Sequence, residues 1–202
     1  MKKLLVIESS PRGEQSVSKQ LVRELVERLK AGHPKSLVKS RDLAAMPLPH
    51  FGAKAIEASV LPPDTLTAAQ KIALDASDQV IGEVFWADAI IIGVPRWNLS
   101  IPSALKAWID HLVRIGKTLG VVPDGYEGLI TGKRMIVVTA SGGVFSQGPF
   151  KPYDFLEPYL RSIFGLLGIT DVTFIHAEGL DRGGLREDSL LQARREIQAI
   201  AP

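Results

Sequence analysis

An α/β fold with helices on both faces of a parallel sheet is the class this sequence predicts, and three observations predict it. Leu4-Leu5-Val6-Ile7, Ala89-Ile90-Ile91-Ile92 and Met135-Ile136-Val137-Val138 are short apolar runs without alternation, as expected of strands buried on both faces. Each is followed by a loop rich in Ser, Gly or Pro. After each loop, apolar residues recur at helical spacing, and alternating strands and helices require crossovers and therefore parallel pairing.

The elements follow in order. Leu4–Ile7 is strand one. Leu21, Val22, Leu25, Val26 and Leu29 lie opposite Lys19, Arg23, Glu24, Glu27 and Arg28, which predicts an amphipathic helix ended by Gly32 and Pro34. Leu37 to Leu43 reads as a weaker strand. Pro47, Pro49, Pro62 and Pro63 forbid continuous helix or central strand and predict a long surface loop, with one helical turn near Ala53–Ser59. Thr67-Ala68-Ala69-Gln70 has capping-box form and predicts a helix running to about Trp86.

Ala89–Ile92 is the third strand, and Pro102 opens a helix with Leu105, Trp108, Ile109 and Leu112 on one face until Gly116. The glycine-rich stretch Gly116–Gly132 is read as an excursion. Met135–Val138 is the fourth strand, with a helix near Phe155–Leu167, and Val172–Ile175 is the fifth, with a helix near Leu185–Ile200. Five strands suggest the flavodoxin-like order 2-1-3-4-5, a three-layer α/β/α sandwich whose ligands sit beyond the carboxyl ends of the strands. The loops after strands one, three and four are therefore the candidates for function.

With 202 residues, 46% hydrophobic and 23% charged, the chain is expected to fold as a single domain, residues 1–202. Twenty-four basic against 22 acidic residues leave a net charge of +2, short of the clustered excess that phosphate-backbone binding uses, so nucleic acid is not an expected partner. The absence of cysteine excludes disulfides, thiolate metal sites and a Cys nucleophile, and no metal is expected. The first apolar run stops at Glu8, short of a signal peptide's ~7–15 residues. No run approaches the ~18 apolar residues of a membrane span, and the lack of cysteine makes a reducing cytoplasm the expected location.

G-x-G-x-x-G, G-x-x-x-x-G-K and G-x-S-x-G are all missing, which removes the signatures of dinucleotide folds, P-loop enzymes and nucleophile-elbow hydrolases. The first candidate loop carries Ser9-Ser10-Pro11-Arg12-Gly13 and then Ser16-Val17-Ser18 at a helix start. Hydroxyls and free N–H groups at the positive end of a helix dipole make a phosphate site that needs no lysine. Read alone, Ser16 or Ser18 is an N-cap; Ser9 and Ser10 converging on the same helix end favour the site.

The second loop, Pro95-Arg96-Trp97-Asn98-Leu99-Ser100-Ile101-Pro102, places an aromatic and an amide between prolines, suiting a flat heterocycle packed on its face and bonded at its edge. The plainer alternative packs Trp97 into the core and leaves Asn98 to make a turn. The third loop, Thr139-Ala140-Ser141-Gly142-Gly143, lets backbone approach a ligand closely, although glycine pairs commonly just make turns.

Taken together, Ser9-Ser10, Ser16-x-Ser18, Arg41-Asp42-Leu43, the Pro-x-aromatic-Asn loop and Leu105-Lys106-x-Trp108 resemble the FMN-dependent NADH-azoreductase family. Gly128-Leu129-Ile130-x-Gly132-Lys133, Gly142-Gly143, Pro158-Tyr159-Leu160 and Ile169-Thr170-Asp171-Val172 with Ala177-Glu178-Gly179 extend the resemblance over essentially the full length. It implies FMN, with its phosphate on Ser10, Ser16, Val17 and Ser18 and its ring on Arg96, Trp97, Asn98, Leu99, Ala140, Ser141, Gly142 and Gly143. It further implies a homodimer with FMN near the interface, and ping-pong transfer of hydride from NADH or NADPH to a quinone or azo compound. The rival readings are a flavodoxin-type one-electron carrier and a flavin-free binding module.

This chain departs from the family's usual Met-Tyr-Asn-Phe at Arg96-Trp97-Asn98-Leu99, from its Ser-Arg-Gly-Gly at Ala140–Gly143, and from its Thr-Phe-x-Tyr aromatics at Leu119 and Val121. No side-chain acid or base is required, so His33, His50, His111 and His176 are expected to be surface or packing residues. N–H groups near Gly142 and Gly143 are expected to meet negative charge on the ring. Arg96, as a fixed cation beside the ring, would favour reduced flavin, anionic acceptors or the NADPH 2′-phosphate; the alternative is a solvated side chain turned away.

Overall fold

A computed structural model describes residues 2–201; residues 1 and 202, the ends of the expected domain, lie outside the described residues. The strands of the main sheet are β1 (Lys3–Glu8), β2 (Leu37–Asp42), β3 (Ala89–Pro95), β6 (Arg134–Ala140) and β7 (Asp171–Ala177). They run parallel in the order β2-β1-β3-β6-β7, which is the expected 2-1-3-4-5 counted over these five. All seven residues of β3 are buried, because the strand is covered on both faces.

Helices α1 (Val17–Gly32) and α6 (Arg186–Ala199) pack on one face, around Leu4, Val6, Leu21, Leu25, Ile91, Ile136 and Ile197. Helices α3 (Ala68–Trp86), α4 (Ser103–Leu112) and α5 (Glu157–Leu166) pack on the other, around Leu5, Ile7, Ile90, Ile92, Trp108 and Phe164. Alternate residues of one strand thus feed two different cores, which is why these runs read as continuously apolar. The short helix α2 (Ala53–Ser59) packs against α3 through Ala55, Ala58 and Leu74. Thr67 and Gln70 form the capping box in full.

Three differences from expectation are local. The Gly116–Gly132 excursion contains an antiparallel hairpin, β4 (Leu119–Val122) with β5 (Gly125–Gly128), turned at Pro123-Asp124, after which Gly125 opens β5 at φ +137°. Helix α4 stops at Leu112, four residues early, because Thr118 Oγ1 donates to the Leu112 carbonyl at 2.7 Å and accepts the Arg114 N–H at 2.8 Å. A 3-10 segment, Gly148–Tyr153, precedes α5, which begins at Glu157 because the Asp154 carboxylate accepts the N–H groups of Leu156 and Glu157. None of the helices among the described residues is long and apolar enough to cross a membrane.

Candidate functional site

Parallel strands end on one edge, so the loops after β1, β3 and β6 meet there. Ser9 closes the first gap: its Oγ donates to the Gly93 carbonyl at 2.8 Å and its N–H to the same oxygen at 3.3 Å. Ser16 is the N-cap of α1, its Oγ accepting the Lys19 N–H at 3.4 Å and lying 3.1 Å from Ser18 Oγ. The N–H groups of Val17 and Ser18 have no intrahelical acceptor at this position and no other protein acceptor. Cap and free donors therefore coexist in one turn.

In the third loop every carbonyl is used and two donors are not. Leu180 N–H bonds the Ser141 carbonyl at 3.1 Å, Asp181 N–H that of Gly142 at 3.2 Å, and Gly179 N–H that of Gly143 at 3.0 Å. The Gly142 and Gly143 N–H groups donate to no protein acceptor. The Asp181 carboxylate lies against Gly142 where a Cβ would stand, so a side chain there would have to displace it.

The second loop is a two-residue hairpin turn. Trp97 and Ser100 exchange backbone hydrogen bonds of 2.9 Å each, with Asn98 at φ +45° and Leu99 at φ +71° between them. Arg96 N–H donates to the Ala140 carbonyl at 2.8 Å, tying this turn to the third loop.

Between these loops lies a cavity of about 600 Å³ lined by Ser10, Ser16, Val17, Arg96, Trp97, Asn98, Ala140, Ser141 and Gly142. A second cavity of about 600 Å³, with Leu43, Pro47, Ile101 and Pro102 in its walls, shares Trp97 and Asn98 with the first. These two residues form the partition. Of the residues singled out from sequence, Ser18, Leu99 and Gly143 line neither cavity. Arg12 and Gln15, within the first loop, and Leu180, Asp181 and Arg186, beyond β7, line the first cavity without having been anticipated. Arg12 and Gln15 were legible as the flanks of the serine cluster; the loop after β7 carried the weaker signal of Gly183-Gly184 beside charged residues.

Trp97 is 45% exposed, so it is not a core residue, while Asn98 does make a turn. Arg96, expected as a fixed cation beside the ring, lines the first cavity, and its side chain is held in an ion pair rather than solvated. Its side chain is 5% exposed, its Nη1 lies 2.7 Å from Asp154 Oδ1, and its guanidinium carbon stands 4.0 Å from the Phe145 ring centroid. Burial opposes ionisation of Asp154, but hydrogen bonds from Arg96, Leu156 and Glu157 and the Arg96 charge together hold its carboxyl below the usual carboxylate range. None of His33, His50, His111 and His176 lines either cavity. His111 instead packs with its Nε2 2.8 Å from the Pro49 carbonyl, and His176 lies between Thr139 and Glu157.

Another cavity, of about 1040 Å³, opens at the opposite end of the sheet between Lys2, Lys3, His33, Lys35 and Asp88. The topological argument favours the carboxyl edge, where the strand order reverses and the unspent donors lie.

A doubly wound parallel sheet with capped α1 and a hairpin turn meeting at its carboxyl edge defines the flavodoxin-like class of α/β proteins. A family model described as "Flavodoxin-like fold" matches residues 2–201, and the chain belongs to that family. It is 45% identical to a Nostoc punctiforme protein named FMN-dependent NADH:quinone oxidoreductase, over 100% of this chain and 99% of that one. A protein of the same name from Azotobacter vinelandii is 43% identical over 100% of both chains. Among solved structures, an azoreductase from Bacillus anthracis superposes with a TM-score of 0.89 at 30% identity, covering 99% of this chain and 100% of that one.

Proposed function

We propose that this chain is an FMN-dependent NAD(P)H oxidoreductase, passing two electrons from NADH or NADPH to quinones and aromatic azo compounds. The observation that carries the reading is the pair of unspent donors, Val17 and Ser18 N–H, at the capped end of α1, beside a cavity edged by the Trp97-Asn98 turn. A phosphate monoester suits that helix end: the donors are preorganised and the dipole favours an anion. Ser10 and Ser16 supply hydroxyls at the same wall. The residues present therefore fit FMN, and the full-length likeness to quinone oxidoreductases and an azoreductase supports the same cofactor.

When bound, FMN supplies hydride acceptance and donation. The protein's part is to bind and orient. Val17, Ser18, Ser10 and Ser16 hold the phosphate. Trp97 and Asn98, which line both cavities, would seat the ring, and the Gly142 N–H at the wall of the first cavity, with the Gly143 N–H next to it in the loop, would offer fixed donors to developing negative charge on a ring oxygen. Residues 1–202 act as one FMN-binding domain in the cytoplasm. The active form is a homodimer with FMN near the interface, a reading supported by exposed Val121 and Tyr126 on the β4–β5 hairpin.

The test is the visible spectrum of the purified protein with FMN before and after anaerobic NADH. Yellow protein bleached directly to the two-electron level is expected. Colourless protein that ignores FMN would overturn the reading, and reduction stopping at one electron would point to an electron carrier.

A further inference from the structure

Leu99 occupies a conformation that L-residues avoid, and the structure around it shows what keeps it there. Its φ of +71° follows Asn98 at +45°. Asparagine visits this region readily; leucine does not, so the turn persists only where its surroundings over-determine it. The Leu99 carbonyl accepts two hydrogen bonds, from Phe155 N–H at 3.2 Å and from Arg96 Nη1 at 3.1 Å. Arg96 is fixed in turn by Asp154 and by the Phe145 face, and Asp154 is fixed by the first turn of α5. Arg96 Nε is buried with no hydrogen-bond partner, a cost that the aromatic face and the carboxylate offset. The Leu99 side chain lines neither cavity, whereas Trp97 and Asn98 line both. The strain at Leu99 therefore shapes the turn and leaves presentation to its neighbours.

We propose that Arg96 is a positioning residue. With Asp154 it forms a buried brace on the Leu99 carbonyl, holding the left-handed turn so that Trp97 and Asn98 stand as the wall on which the flavin ring is seated. Its charge is consumed in the brace, so it does not select anionic acceptors or a nucleotide 2′-phosphate. This rests on the FMN reading above, and it concerns the ring half of the ligand alone.

The experiment measures dissociation constants of FMN and riboflavin for the full-length protein stripped of flavin, by quenching of flavin fluorescence. Failure of the unmodified protein to bind FMN would defeat the functional reading itself. Given binding, Arg96→Met is expected to weaken FMN and riboflavin by the same factor, about tenfold, the affinity equivalent of about 1.4 kcal/mol. Ser16→Ala should weaken FMN alone. Replacing Leu99 by Gly in the Arg96→Met background should restore most of the lost affinity, since glycine adopts positive φ without a brace.

Unchanged riboflavin affinity in Arg96→Met, or a loss confined to FMN, would overturn the proposal. So would failure of the Leu99→Gly change to restore binding, which would mean that Arg96 does not act through the turn. Should Arg96→Met fail to fold by circular dichroism, Asp154→Asn is the second variant. It keeps an oxygen for the α5 N–H groups but removes the charge, and equal losses for both flavins are expected; unaltered affinity would overturn the brace.

Discussion

Gly128 and Gly168 meet backbone to backbone. A Cβ on Gly128 would overlap the Leu167–Gly168 peptide, and one on Gly168, whose φ is +94°, would stand 2.8 Å from the Gly128 carbonyl oxygen. The adjacent Ile130 N–H donates to the Leu167 carbonyl at 2.9 Å, so the β4–β5 hairpin is docked on the turn between α5 and β7.

Gly128→Ala should therefore separate two backbones that no rotamer change can relieve. Overpacking of this kind costs about 1–3 kcal/mol or more. A clear drop in thermal midpoint is expected by circular dichroism, and a midpoint equal to the unmodified protein's would show that the contact is not tight.

Ser16→Ala removes the α1 cap, which should lower stability by about 1 kcal/mol in urea melts without flavin. Since the same hydroxyl lies at the proposed phosphate site, the variant should lose more stabilisation on adding FMN than on adding riboflavin. Equal shifts with the two ligands would remove Ser16 from the phosphate.

Thr67→Ala separates capping from function. It breaks the capping box of α3, and the expected cost is again about 1 kcal/mol. Thr67 lines neither of the two site cavities, so FMN affinity should not change. A weakened affinity would mean that α3 is coupled to the site.

Asp154 and Asp42 give the acid limb of stability. At Asp42, too, burial opposes ionisation, and the Lys19 ammonium with the Ala45 and Ala44 N–H groups outweighs it and lowers the carboxyl's pKa. A lowered folded pKa means that each carboxylate stabilises the fold above its unfolded value, about 3.9. That contribution disappears as the pH falls through the folded value. Urea midpoints should fall steeply below about pH 4. The slope should be shallower in Asp154→Asn, and an identical slope would show that the Arg96 pair makes no difference between folded and unfolded chains.

Much of the fold was legible because its signals are local. A double-sided apolar run such as Ala89–Ile92 is a property of neighbours in the chain, as is the Thr67–Gln70 reciprocal cap. The serines at 10 and 16 were legible for the same reason, being packed into one loop-to-helix turn. The β4–β5 hairpin was not, because its four-residue strands carry little periodicity and its dock depends on Gly168, 40 positions beyond Gly128 (168 less 128).

The five strands of the main sheet, the helices between them, their parallel pairing and the meeting of the loops after β1, β3 and β6 at the carboxyl edge could all be read from the chain. These follow from hydrophobic spacing, caps and the handedness of crossovers, all of which act along the chain. The role of Arg96 came only with the folded chain. Its partner Asp154 lies 58 positions away, and whether an arginine is a free cation or half of a buried pair depends on what the topology sets beside it. The same is true of Asp181 and Arg186, which reach the cavity because β7 ends at the same edge as β6. Charges act through space, and their partners become known only once the chain has been brought together.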